Sequence, residues 1–152
     1  MLGVIAAAAL AAGPYHLAIL TSDYGGAIDE RTIRPMPDGT RTFVIIAIFA
    51  RPTPVGGRMV QISERPDTID CRQSRIREGA VRYEELNGTL VVADNQTEDW
   101  KQITPFTFLA AERDWVCGGK PSKLLSTTAP SLEGIERIYF DAIGKPDEMR
   151  RR

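Results

Sequence analysis

Two stretches decide how this chain is read: Thr68–Arg77, TIDCRQSRIR, and Thr107–Gly119, TFLAAERDWVCGG. They hold the only two cysteines of the 152-residue sequence, Cys71 and Cys117. Between them Glu78–Asp94 reads EGAVRYEELNGTLVVAD, two strand-like runs around Asn87-Gly88. Asn-Gly favours the positive φ values of a tight hairpin. From Thr107 the period lengthens: Phe108, Ala111 and Trp115 fall at helical spacing with Leu109 and Val116 beside them, and Gly118-Gly119 supplies the stop. The cysteines therefore bracket a module that begins as sheet and ends as helix.

Upstream, Tyr15–Ile19 reads as a first strand and Ala27–Ile33 as a second, with Ser22–Gly26 and Met36–Thr40 as turns. Thr42–Phe49 is β-branched, aromatic and bounded by turn signals, which predicts a central strand covered on both faces. Arg51-Pro52-Thr53-Pro54-Val55-Gly56-Gly57 ends it, and Arg58–Ser63 resumes as another strand. If Thr68–Arg77 is extended, Cys71, Gln73, Arg75 and Arg77 share one face. Downstream, 121–130 reads as a polar linker and 131–145 as an amphipathic helix with Ser131 as N-cap and Gly144-Lys145-Pro146 as its stop. Residues 146–152 read as a frayed tail. The expected fold is α+β: a mostly antiparallel sheet of about six strands, one packed helix and a second, C-terminal helix. Its core is expected from Val44, Ile46, Ile48, Met59, Val60, Ile62, Val81, Tyr83, Val91, Phe108, Trp115 and part of the last helix.

Composition narrows the function classes. A hydrophobic content of 43% with 26% charged residues fits one globular domain and argues against a disordered chain. A formal net charge of -1 argues against a nucleic-acid binder, which carries a basic surplus. No apolar run reaches the length of a membrane-spanning helix. Residues 1–12 are alanine-rich and apolar and end near the small-x-small pattern Ala9-Leu10-Ala11, as an export signal does, although no Lys or Arg precedes the run. The expected compartment is the periplasm or the exterior. In such an oxidising space an even cysteine count points to a Cys71–Cys117 bond, the alternative being two buried thiols. Two cysteines and one histidine make a poor metal set, so no metal or cofactor is expected.

Catalytic chemistry is thin. His16 lies in a predicted strand with no serine or cysteine motif to serve. Asp29-Glu30, Glu84-Glu85 and Glu98-Asp99 are the acidic pairs open to a hydrolase reading, but neighbours on a strand point to opposite faces and suit a solvated edge better. Arg72, Arg75, Arg77 and Arg82 form the mid-chain basic concentration, either an anion-binding surface or a charged sheet face balanced by Glu78, Glu84 and Glu85.

The order Ile28-Asp29-x-x-x-Ile33, an apolar strand, Ile69-Asp70-Cys71 with Arg72 and Arg75, Tyr83, Trp100-x-x-Ile103-x-Pro105 and Val116-Cys117 resembles the surface-adhesin protein E family of Gram-negative envelope proteins over roughly 14–118. The resemblance implies an exported antiparallel sheet tied by Cys71–Cys117, with no catalytic residues, and adhesion to extracellular proteins as the family role. Two features depart from it: no cysteine follows the leader to carry a lipid anchor, and the chain from Ser131 onward lies outside the shared pattern. The leading expectation is a non-catalytic protein- or glycan-binding or envelope-structural module, acting through a sheet face or edge. A periplasmic hydrolase needs two converging carboxylates, one of them desolvated. A small-ligand carrier needs an apolar pocket between sheet and helix.

Overall fold

One long antiparallel hairpin forms the spine of the molecule. In the computed structural model it consists of β3 (Arg41–Val55) and β4 (Arg58–Asp70). Residues 14–85, 89–94, 96–119 and 127–144 are described. The expected leader, the Asn87-Gly88 turn and the tail lie outside them. β1 (Tyr15–Leu20) and β2 (Tyr24–Pro35) precede the hairpin, and β5 (Arg75–Glu78), β6 (Val81–Glu84), β7 (Leu90–Asp94) and β8 (Lys101–Gln102) follow it. The chain then forms α1 (Phe108–Gly118), β9 (Thr127–Ala129) and α2 (Leu132–Ala142).

Among the described residues nine strands form one sheet in the order β7-β6-β4-β3-β2-β1-β9, with β5 beside β6 along the same edge of β4 and β8 beyond β5. Each of these neighbours pairs antiparallel. The α+β class expected from the sequence is the one found. The additional strands are short: β8 has two residues and β9 three, too few to show a period. Thr127–Ala129, inside the span read as linker, pairs with Leu17, His16 and Tyr15 and closes the β1 edge.

The two helices lie on opposite faces. α1 covers Ala18, Ile28, Phe43, Ile45, Ile69 and Ile76, adding Ala110 and Val116. Trp115 stacks on His16 at 3.7 Å with planes 2° apart, and the Arg41 guanidinium donates to the Val116 carbonyl at 2.9 Å. Thr107 caps the helix by accepting from the Ala110 N–H, and Gly119 ends it with φ 61°. Cys71 and Cys117 are bonded, joining the end of β4 to the end of α1. On the other face α2 buries Ile135, Tyr139 and Phe140 over Leu17, Ala27 and Ile48. Ser131 caps α2 through the Gly134 N–H, as its sequence position predicts. Each of these large side chains contributes ~1.5–3 kcal/mol by leaving water.

Four local expectations need correction. Gly25-Gly26 is no turn: both residues lie inside β2, paired with Ile48 and Ala47. Their missing side chains admit Tyr139 from α2 on one face and Ile19 on the other. The proline run does not end β3, because a register shift between Ile48 and Thr53 absorbs it and pairing continues to Val55–Arg58. Gly56 and Gly57 supply the tight turn, with φ 57° and 77°. Beyond Phe49 this ribbon has passed the last partner in β2, so Met59, expected in the core, is 54% exposed. Thr68–Arg77 is not one extended run either. The Asp70 carboxylate accepts from the Arg72 and Gln73 N–H groups at 3.1 and 3.0 Å, turning the chain, and Ser74 takes φ 52° before β5 begins.

The α2 docking gives a direct check. A Cβ built on Gly25 would stand 2.7 Å from Tyr139 Cδ2 and 2.9 Å from Cγ. Gly25→Ala is expected to cost ~1–3 kcal/mol through overpacking, read as a lower denaturant midpoint. An unchanged midpoint would mean that Tyr139 does not sit on the sheet.

Candidate ligand-binding cleft

The sheet floor beneath the first half of α1 is made of small residues. Register places Gly26 beside Ala47, Ala47 beside Ser63 and Ser63 beside Tyr83, one row across β2, β3, β4 and β6. The neighbouring row on one side is Tyr24 beside Phe49, and on the other Ile45 beside Arg65. α1 is anchored at its far end by the disulfide and by Trp115, so its first half spans this trench instead of filling it. A cleft of about 480 Å³ results, roofed by Thr107, Phe108, Leu109 and Glu112 and closed at the side by Val81 and Glu78. A volume of this size lies in the ~300–1,000 Å³ range of small-molecule sites.

The wall is apolar and aromatic except at one end. There Glu112 is fully buried, and neither carboxylate oxygen has a hydrogen-bond partner. Burial, reinforced by the Asp67 charge and only partly opposed by Arg65, pushes its pKa up to about 8, with Glu78 adding to the rise. At neutral pH it is a carboxylic acid. Asp67 and Glu78 lie directly across from each other on β4 and β5 and share the Arg65 guanidinium. Arg65 donates to both Asp67 oxygens at 2.8 and 2.9 Å and lies 2.9 Å from Glu78 Oε1. The other Glu78 oxygen accepts from Lys101 at 3.0 Å. Burial raises the Asp67 pKa as well, against the pull of Arg65.

This arrangement binds better than it reacts. A hydrolytic pair needs one acid and one free carboxylate. Glu112 is a protonated acid, but the oxygens of Asp67 and Glu78 are already engaged. Beside the roof, Phe106 is 98% exposed with φ 63°, a left-handed conformation that costs a non-glycine residue ~1–2 kcal/mol.

The residues singled out from the sequence lie elsewhere. Arg75 and Arg77 stack on Trp100 at 4.6 and 5.1 Å, and Arg75 also meets Asp70 at 3.3 Å. Arg82 pairs with Glu84 at 3.0 Å, and Arg72 lies by Gly39 in the turn before β3. The structure thus joins Arg75 and Arg77 around one indole and leaves Arg72 and Arg82 apart. The acidic pairs disperse: Asp29 holds Arg31, Glu85 holds Arg58, and Glu98 holds Lys101. Among the described residues no group of three or more His, Cys, Asp or Glu side chains is placed to hold a metal ion. Helical period marks Glu112, which falls four residues after Phe108 and four before Val116 on the apolar face, whereas nothing marks Asp67, because a charged residue in a strand looks solvent-facing until the pairing is known.

The buried acid makes stability fall with pH. Between its ordinary value of 4.5 and about 8, folded Glu112 holds a proton that the unfolded chain has lost. The unfolding free energy must therefore decrease as pH rises through that window. Asp67 acts in the same direction, whereas buried His16, whose pKa is lowered by burial, favours the folded state as pH rises. Comparison with Glu112→Gln cancels both. The variant should lose less thermal stability between pH 5 and 8.5 and exceed the parent at pH 8.5. Parallel curves would contradict the buried acid.

Comparisons with known proteins reach the fold and stop there. No protein-family model matches the sequence, and no curated protein matches it. Among solved structures, crystal form II of Haemophilus influenzae protein E superposes with a TM-score of 0.57 at 14% identity, over 70% of this chain and 88% of that one. The selenomethionine form gives 0.52 at 14% identity, over 74% and 91%. Protein E from non-typeable Haemophilus influenzae gives 0.50 at 14% identity, over 73% and 83%. This chain has a protein E-like fold.

Proposed function

We propose that this chain is an exported, non-catalytic binding protein, a distant member of the protein E family, whose ligand enters the cleft between α1 and the sheet. The observation that carries the reading is the trench of small residues under a helix pinned at one end, with an unpartnered acid at its margin. Cavities lined by apolar groups with one convergent polar group are the usual form of small-molecule sites. Export is supported by the disulfide, which belongs to oxidising compartments. Among the described residues no helix is long and apolar enough to cross a membrane. Of the three expectations, the small-ligand carrier now stands first.

Adhesion to an acidic protein or glycan is the second reading, favoured by the Arg75–Trp100–Arg77 stack at the sheet edge. Planar guanidinium groups held over an indole present donors suited to carboxylates.

One experiment separates the two. The neutral fluorophore N-phenyl-1-naphthylamine should brighten on binding the wild-type protein. Ala47→Phe, which puts a ring into the trench, should reduce its affinity at least tenfold in a protein that still melts cooperatively. Undiminished binding in folded Ala47→Phe contradicts the cleft. Loss of binding in an Arg75→Ala, Arg77→Ala double variant, with Ala47→Phe unaffected, moves the site to the edge.

A further inference from the structure

The charges around the cleft specify more than an apolar guest. Arg65 carries one positive charge and is shared by Asp67 and Glu78. With Lys101 shared by Glu78 and Glu98, two cations stand against three carboxylates, so an anionic ligand would enter a region already negative by one charge, with Glu112 uncharged. Arg65, the cation that acts on Glu112, is held by Asp67 and Glu78, and both Glu112 oxygens are buried without a donor. A buried polar group without a partner costs ~1–3 kcal/mol, and a guest that satisfies it recovers this. Along the same cleft stand Tyr24, Phe49, Tyr83 and Phe108, whose ring faces attract cations.

We propose that the cleft is selective for an amphiphilic organic cation, an ammonium group on an apolar body, with the nitrogen seated at Glu112 and the body between the aromatic side chains. The proposal rests on the reading of the cleft as the binding site and adds its ligand class. With the Glu112 side chain turned from its buried position into the cleft, an ammonium N–H donates to one of its oxygens and supplies the missing counter-charge. Glu112 then ionises, and its proton leaves to solvent as the cation binds. The charged and titratable groups facing Glu112 are Arg65 and Asp67 from β4 and Glu78 from β5, with the phenols of Tyr24 and Tyr83 along the cleft. From its own helix, Arg113 is turned to Ser74 and Asp114. Lys101, the cation nearest the cleft from β8, is held outside by Glu78 and Glu98 and does not compete for the seat.

The test uses three probes of matched shape: 2-(1-naphthyl)ethylammonium, 2-(1-naphthyl)ethanol and 1-naphthylacetate. Calorimetric titration of the full chain should place the ammonium at least tenfold tighter than the alcohol, with the carboxylate weakest. Ammonium affinity should rise from pH 6 to 8 and level off above, because the probe stays charged (alkylammonium pKa ~10) while Glu112 must ionise. Titrations in buffers of different ionisation enthalpy should show close to one proton released per probe at pH 6.5. In Glu112→Gln the ammonium and alcohol should come within threefold, the pH dependence should vanish and the naphthyl group should still bind. Equal affinity for all three probes, or the carboxylate binding best, overturns the cation proposal while leaving the cleft standing. Ammonium preference that persists in Glu112→Gln also overturns it. If no probe binds, and Ala47→Phe makes no difference, the cleft reading itself fails.

Discussion

The bond between Cys71 and Cys117 sets the geometry on which the cleft depends. It fixes the last turn of α1 to the end of β4, across a sequence separation of 46 residues. Closing a loop of that size is worth ~4 kcal/mol in the chain-entropy account. Against it stands Glu112, a carboxylic acid buried without a partner, at a cost of ~1–3 kcal/mol. The covalent tie outweighs that cost. α1 can therefore carry an unsatisfied polar group into the interior and stay docked. The Trp115–His16 stack and Val116 secure the same end by packing, and the opposite end is left to span the floor.

What lies under that free end follows from strand register. Gly26, Ala47 and Ser63 belong to three strands and meet only because β2–β3 and β3–β4 pair as they do. Larger residues in this row would fill the space and bring α1 down as an ordinary core helix. Glycine serves the opposite purpose on the other face, where Gly25 lets the Tyr139 ring lie against the backbone. One Gly-Gly pair thus does two things, admitting α2 closely on one side and flooring the cleft on the other.

The sequence discloses whatever is encoded locally. Both helices are legible from apolar residues at a period near 3.6, the first also from its Gly118-Gly119 stop and the second from Ser131 at its N-cap. The disulfide is legible because the sequence holds two cysteines, each the other's one possible partner. The cleft is not legible, since no local pattern announces a row of small residues across several strands. Glu112 lies in Ala-Ala-Glu-Arg-Asp, whose charges suggest a solvated face, yet its place four residues from both Phe108 and Val116 puts it on the apolar face of α1, where it is buried. Asp67 and Glu78 are well separated in sequence and become neighbours through the β4–β5 register. Gly25-Gly26 reads wrongly from sequence because a glycine pair signals a turn or a close approach equally well, and only the packed partner decides.

At the centre of the proposed function is an uncharged carboxylic acid beside the cleft with no hydrogen-bond partner among the described residues. Carbon-13 NMR of protein labelled at glutamate side chains observes it directly, with the Glu112 resonance assigned by its absence in Glu112→Gln. The predicted result is a carboxyl shift that titrates with a midpoint near 8 in the ligand-free protein. A midpoint near 4.5, the ordinary glutamate value, would mean that Glu112 is hydrated or paired, and the proposed ligand seat would be lost.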